Sequence, residues 1–123
     1  MTSPEKSLGK KGEEFAAAHL RSLQYKILER NYQCAAGEID IIAKEQNTLV
    51  FVEVKTRSNR DYGSPAEAVD ARKQRQLSKV ALTYLNQKKL VNIPARFDVV
   101  AVEILPSQRR IEVIRNAFDL IYG

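Results

Sequence analysis

Between Gly37 and Lys55, two apolar runs carry charged residues at alternate positions. The first is Gly37-Glu38-Ile39-Asp40-Ile41-Ile42 and the second is Val50-Phe51-Val52-Glu53-Val54-Lys55. In a strand, side chains two apart share a face, so Glu38 is expected beside Asp40 and Glu53 beside Lys55. Carboxylates inside β-branched runs are costly to bury. They are expected there when something offsets their charge, and a bound metal ion is the natural candidate.

The segment Lys44 to Thr48 is polar and centred on Gln46-Asn47, which predicts a hairpin whose opposed residue numbers sum to 93. That register sets Asp40 opposite Glu53 and Glu38 opposite Lys55, with Cβ atoms roughly 5 Å apart. A two-residue and a four-residue loop give the same register. An odd-length loop without a bulge would send the two pairs to opposite faces.

These residues need elements to hold them. Residues 1–7 are expected to form a tail. Leu8 to Leu23 has a helical stripe of Phe15, Ala16, Leu20 and Leu23, and Tyr25 to Tyr32 reads as a strand that breaks at Ala35-Ala36-Gly37. After the hairpin, Thr56 to Gly63 reads as a loop. Ser64-Pro65-Ala66-Glu67 is a capping-box helix start. The helix pattern runs to about Lys89, with a second start available at Asp70 and a buried stripe of Leu77, Val80, Ala81, Tyr84 and Leu85. Phe97 to Val102 and Ile111 to Ile114 are two further strands, and the tail from Asn116 suits a short helix or a strand. The order α-β-β-β-α-β-β predicts an α/β protein with a central mixed sheet flanked by helices. The length of 123 residues fits a single domain spanning 1–123.

Composition narrows the function. The chain has no run of eighteen apolar residues, so no transmembrane helix is expected. The N-terminus lacks an apolar signal core. The single cysteine, Cys34, can make neither an internal disulfide nor a zinc site alone. Together these predict a cytoplasmic protein with no membrane partner. The net charge of +5 and pI of about 9.4 favour a polyanionic partner, provided the fold gathers the basic clusters on one side.

The spacing Asp40, twelve residues, Glu53-Val54-Lys55 resembles the signature of the PD-(D/E)xK nucleases, which include restriction enzymes and archaeal Holliday-junction resolvases. Further motifs resemble the small bacterial YraN-like family of that superfamily: Gly9-x-x-Gly12-Glu13, Gly37-Glu38-Ile39-Asp40, Phe51 through Arg57, Tyr62-Gly63 and Arg96-Phe97-Asp98-Val99-Val100. Ile39 stands where the superfamily name has a proline, which is not a ligand.

The resemblance implies a restriction-endonuclease-like core and a Mg²⁺- or Mn²⁺-dependent endonuclease acting on DNA. The substrates it implies are branched or junction DNA, in DNA processing or repair, and the enzyme would act as a homodimer. Asp40 and Glu53 would hold the metal together with the Val54 backbone carbonyl. Lys55 would position the attacking water and neutralise the transition state. The alternative for Glu53 and Lys55 is an exposed strand salt bridge.

Helix phase separates Glu13, which shares a face with Ala16, Ala17 and Leu20, from the outward Glu14. The resemblance makes Glu13 an outer metal or water ligand. Otherwise it is a carboxylate favoured by the helix N-terminus. Glu38 is either an accessory metal ligand or the partner of Lys55. Arg57 and Arg60 are candidate phosphate contacts, joined by Lys73 and Gln74, with a snorkelling surface lysine as the alternative for Lys73. Tyr62 could stack on a base or pack on the helix. Arg96 and Asp98 read as a structural pair. A second function class is a nucleic-acid-binding module that keeps this face with little or no turnover, and a third is a scaffold within a larger machine.

Overall fold

The computed structural model describes residues 4–58 and 69–121, with the side chains of 4–6 excepted. The elements in chain order are α1 (Pro4–Ser22), β1 (Lys26–Cys34), β2 (Gly37–Glu45), β3 (Thr48–Arg57), α2 (Ala71–Gln87), β4 (Ala95–Ile104) and β5 (Arg109–Phe118). This is the predicted order. The strands lie in the sheet as β1-β2-β3-β4-β5. β3 and β4 are parallel and every other neighbouring pair is antiparallel. A parallel pair cannot be joined by a hairpin, and α2 lies in the connection.

The helices cover opposite faces of the sheet. Ala16, Ala17 and Leu20 of α1 pack on Ile41, Val50, Val52 and Val100. Leu77, Val80, Ala81 and Tyr84 of α2 pack on Ile42, Phe51, Phe97 and Val99. The alternation along β3 and β4, with even numbers toward α1 and odd numbers toward α2, follows from the period of two in a strand. Asp70 caps α2, its carboxylate accepting from the Lys73 N–H at 2.9 Å. The second of the two helix starts is therefore the one seen in the described residues. The Ser64-Pro65-Ala66-Glu67 start lies outside them, as do Arg60, Tyr62 and Gly63.

Two expectations are corrected and one open alternative is resolved. Residues 4–7 are the first turn of α1 rather than tail. Proline at the first helical position has no N–H to lose there, and the absence of an apolar stripe hid the turn. β1 runs on to Cys34, past the expected end at Tyr32. Of the two alternatives for the segment from Asn116, the strand is the one found: β5 continues through Asn116, whose φ of 52° accompanies the register shift between Phe97 and Val99, to Phe118.

α1 approaches β3 closely at one point. A Cβ added to Gly12 would lie 1.8 Å from Thr56 Oγ1 and 2.8 Å from Thr56 Cβ. Rotating the hydroxyl away relieves only the first clash. Gly12→Ala is therefore expected to destabilise the protein by about 1–2 kcal/mol, because overpacking of about 1–3 kcal/mol outweighs the gain in helix propensity of about 1 kcal/mol. Gly9, one turn earlier on the same helix, has nothing within 4 Å of an added Cβ, so Gly9→Ala is expected to stabilise. Urea unfolding of the two variants checks the pair, and equal shifts would contradict the close approach.

On the α1 face of the sheet, Asp98 is fully buried. It accepts from Tyr25 Oη at 2.7 Å, Arg96 Nε at 2.9 Å and the Asn116 N–H at 3.0 Å. Arg96 Nη2 also donates to Glu45 at 2.6 Å, and Arg115 joins Glu45 at 3.0 Å. Burial, and then the hydrogen bond to Asp98, push the Tyr25 hydroxyl up to about 12. The Arg96–Asp98 pairing expected from sequence is thus the centre of a larger network.

Candidate active site

The β2–β3 ladder pairs Glu45 with Thr48 through to Ile41 with Val52. Every pair sums to 93, as the hairpin predicted, and the connection is the two-residue turn Gln46-Asn47, with Gln46 at φ 55°. Beyond Ile41–Val52 the strands stop exchanging backbone hydrogen bonds. There Asp40 replaces the ladder, its Oδ2 accepting from the Val54 N–H at 2.8 Å. Within a strand, the N–H and C=O of one residue point to the same neighbour. The Val54 carbonyl is accordingly turned to the Asp40 side as well.

Glu53 follows Val52 on the α2 side of β3. Its side chain is 8 % exposed, and its Oε2 lies 3.4 Å from Lys73 Nζ on α2. Burial first, and then the Glu53 carboxyl beside it, push the Asp40 carboxyl up to about 8. The Val54 N–H and Lys73 pull the other way. Lys55 is half-buried two residues further along β3, in register with Ala101 of β4.

Glu13 comes to the same region from α1, as its helix phase predicted. It is half-buried, whereas Glu14 is exposed and pairs with Arg30 at 2.8 Å. The Glu13 carboxyl is raised by burial and then by Asp40, with Arg30 opposing and Glu38 and Glu14 adding. Asp40 and Glu38 are thus the carboxylates around it, besides its own helix neighbour.

Glu38 departs from the hairpin expectation. It lies past the end of the β2–β3 ladder and pairs with Gln33 of β1, so its opposition to Lys55 does not form. The cause is a twist at Asp40. Ile39 packs in the α2-side cluster and Ile41 in the α1-side cluster, although they are two residues apart. Across β1, Asn31 sits between the pairs Arg30–Ile41 and Tyr32–Ile39 with φ 54°. Its side-chain amide, oriented to satisfy both acceptors, donates to Glu13 Oε1 at 2.8 Å and Glu38 Oε1 at 3.2 Å. Sequence reasoning missed Asn31. Its one signal was an asparagine inside a strand, a residue type that tolerates left-handed backbone.

Gln74 donates its amide nitrogen to the Val69 carbonyl at 2.9 Å, which fastens the start of α2. Arg57 ends β3 half-buried. The structure thus brings Asp40, Glu53 and Lys73 together, with Glu13 and Glu38 joined to them through Asp40 and Asn31.

Among the described residues, no three Asp, Glu, His or Cys groups close into a metal cage. Two carboxylates and a carbonyl with an open side are instead the donor set of an ion that keeps several waters, as Mg²⁺ does. Burial, and then the neighbouring Glu53 carboxyl, disfavour the ionised form of Asp40, and a divalent cation would stabilise that form, so the residues fit such an ion.

The sign of the metal-free pH dependence follows. Between the ordinary carboxylate range and about 8, the folded chain holds a proton on Asp40 that the unfolded chain has lost. Stability of the metal-free protein is therefore expected to fall as pH rises through that window. Each pKa unit corresponds to about 1.4 kcal/mol, so the fall is on the order of a few kcal/mol. Asp40→Asn is expected to flatten it. Denaturant melts in chelator at about pH 5.5 and about pH 8.5 check this, and a wild-type curve that stays level would contradict the carboxyl pair.

No helix among the described residues is long and apolar enough to cross a membrane. Comparison with known proteins gives one family. Residues 12–102 match the model of the uncharacterised protein family UPF0102. A UPF0102 protein of Geobacter sulfurreducens is 53 % identical over 118 residues, covering 95 % of this chain and 92 % of the relative. One from Syntrophus aciditrophicus is 54 % identical over 115 residues, covering 94 % and 91 %. One from Moorella thermoacetica is 46 % identical over 120 residues, covering 96 % and 100 %. The matched span contains Glu13, Asp40, Glu53, Lys55 and Lys73.

Proposed function

The chain belongs to the uncharacterised protein family UPF0102, and from that starting point we propose that it is a metal-dependent endonuclease of the PD-(D/E)xK type. Its substrate is DNA, branched or junction DNA foremost, in DNA processing or repair in the cytoplasm. The observation that carries this reading is the pairing of half-buried Asp40 with buried Glu53 where the β2–β3 ladder ends, with Lys55 two residues further on.

Asp40, Glu53 and the Val54 carbonyl would hold Mg²⁺ or Mn²⁺. The metal would lower the pKa of a bound water and offset charge on the phosphate. Lys55 would orient the water and balance charge as the phosphorus becomes five-coordinate. Glu13, steadied by Asn31, would accept a hydrogen bond from water on the α1 side. Arg57 and Lys73 would face the phosphates on either side of the cut. A homodimer would suit paired incisions on a branched substrate.

One contact favours the second reading, a nucleic-acid-binding module without turnover. Lys73 already supplies Glu53 with a cation at 3.4 Å, and a protein cation there can substitute for a metal's charge but not for its chemistry.

Incubating the protein with labelled four-way-junction, flap, single-stranded and linear duplex DNA, in Mg²⁺, in Mn²⁺ and in chelator, separates the two. The nuclease reading expects metal-dependent cleavage strongest on branched DNA. DNA that shifts in a gel and stays uncut under every metal would leave the binding module.

A further inference from the structure

We propose that the exposed flank of α1 is a track for single-stranded DNA, leading from the carboxylate site to a base-stacking platform formed by Arg109 on Phe15. The inference rests on the nuclease reading and deepens it, because it names the part of the substrate that this flank would hold: an unpaired arm beside the cut.

The platform comes first. The Arg109 guanidinium lies 4.0 Å from the centre of the Phe15 ring. Phe15 is half-buried against the α1-side core, and Arg109 is exposed at the start of β5. At that distance cation–π attraction holds the guanidinium over the ring, and a guanidinium lying along the ring would present its exposed side to another flat group.

Beside it is a cavity of about 340 Å³ with an apolar floor of Phe15, Ile104 and Leu105 and a rim that includes Lys11 and Arg109. No acidic residue lines it. An apolar lining with cations beside it matches a nucleobase and its phosphate. Proteins that bind single strands pair a positive groove with stacking side chains in this way.

The track comes from continuity. The Arg109 cavity shares Lys11 with a depression over the outer face of α1. That depression shares Lys10 and Glu14 with the groove of about 560 Å³ between α1 and β1, which is lined in part by Glu13, Arg30 and Asn31. The cations along this path are Arg109, Lys11 and Lys10, and the groove, where Arg30 is paired with Glu14, ends at Glu13 of the carboxylate site. Gly9 also lines that groove and has open space where a side chain would stand, so a backbone can come close to the helix there. Glu14 is the one acid on the outer depression. It is engaged by Arg30 at 2.8 Å, so its charge is balanced within the protein.

The test uses the full chain in chelator, so that binding is read without cleavage. The probes are a DNA duplex bearing a single-stranded arm with 2-aminopurine, whose fluorescence is quenched on stacking, and the matching blunt duplex. The wild type is expected to quench the arm. Arg109→Ala is expected to weaken binding of the arm-bearing probe by about tenfold and to restore its fluorescence, leaving the blunt duplex within about threefold. Arg109→Lys keeps the charge and loses the plane, so it is expected to lose the quenching too. Phe15→Leu, which keeps apolar volume and removes the ring, should act in the same direction, with thermal melts confirming that each variant folds.

Full quenching and affinity in Arg109→Lys, equal weakening of arm and blunt probes, or no quenching by the wild type would each overturn the proposal. Metal-dependent cleavage without quenching would leave the nuclease standing and remove the track. Quenching without cleavage under any metal would do the reverse.

Discussion

Replacing Glu53 by glutamine is expected to lower Mg²⁺-dependent cleavage by at least about a thousandfold while leaving the fold in place. Glutamine has nearly the same shape as glutamate. The lost ion pair to Lys73 is at a lysine that is 39 % exposed, where solvent screens much of its worth. What changes, on the nuclease reading, is a proposed metal ligand. The amide oxygen is a weaker donor, and removing one of two like charges lets Asp40 fall back toward the ordinary carboxylate range.

Asp40→Asn is expected to give the same catalytic loss by the other half of the pair, since its amide oxygen can still accept from the Val54 N–H. Both variants should bind DNA as well as the wild type or more tightly, because each removes negative charge beside the proposed path of the phosphates. In chelator at alkaline pH both should be more stable than the wild type, the pattern of a site that trades stability for function. Cleavage kinetics, gel shifts and melts on the same three proteins decide the matter. Variants that unfold would make the carboxylates structural, and variants that still cut would move the chemistry elsewhere.

Asp98→Ala is expected to have the largest effect on stability, a loss of about 3–5 kcal/mol and roughly 10–20 °C in Tm. The fully buried carboxylate accepts from a phenol, a guanidinium and a backbone N–H. Deleting it strands all three donors and leaves Arg96 with Glu45 as its remaining carboxylate. Asp98→Asn retains one acceptor oxygen, which can serve either Tyr25 on one side or Arg96 and the Asn116 N–H on the other, and is expected to lose less. Asp98 lies on the α1 face of the sheet and Glu53 on the α2 face, so cleavage per folded molecule should change little below the melting range. A variant as stable as the wild type would mean that the network contributes specificity without stability.

The hairpin register was legible because a polar turn between two alternating runs leaves one pairing that buries both. Glu13 and Glu14 could be told apart because helix phase follows from 3.6 residues per turn. The pairing of Arg96 with Asp98 could be read from two opposite charges on one strand face. The twist at Asp40 was not legible. It depends on Asn31 adopting a left-handed backbone on the neighbouring strand, and nothing local to β2 records that. It is also why Glu38 turned to β1 and away from Lys55. The contact from Lys73 to Glu53 was half legible: the stripe of α2 placed Lys73 inward, but its partner depends on how the helix is laid across the sheet. The bond from Gln74 to the Val69 carbonyl was not legible for the same reason, because it depends on how the chain enters the helix.

The single parallel pairing in the sheet, β3 with β4, also bears on the order of folding. The β1–β2–β3 meander and the β4–β5 hairpin close short loops, whereas joining them requires the whole connection through α2 to be drawn in. Long closures slow folding, so that docking is the expected rate-limiting step. The meander already carries Asp40 and Glu53, while Lys73 arrives only when α2 lands. The nascent chain therefore meets its two repelling carboxyls before their counter-ion is present, and a divalent cation available at that stage is expected to speed the final docking.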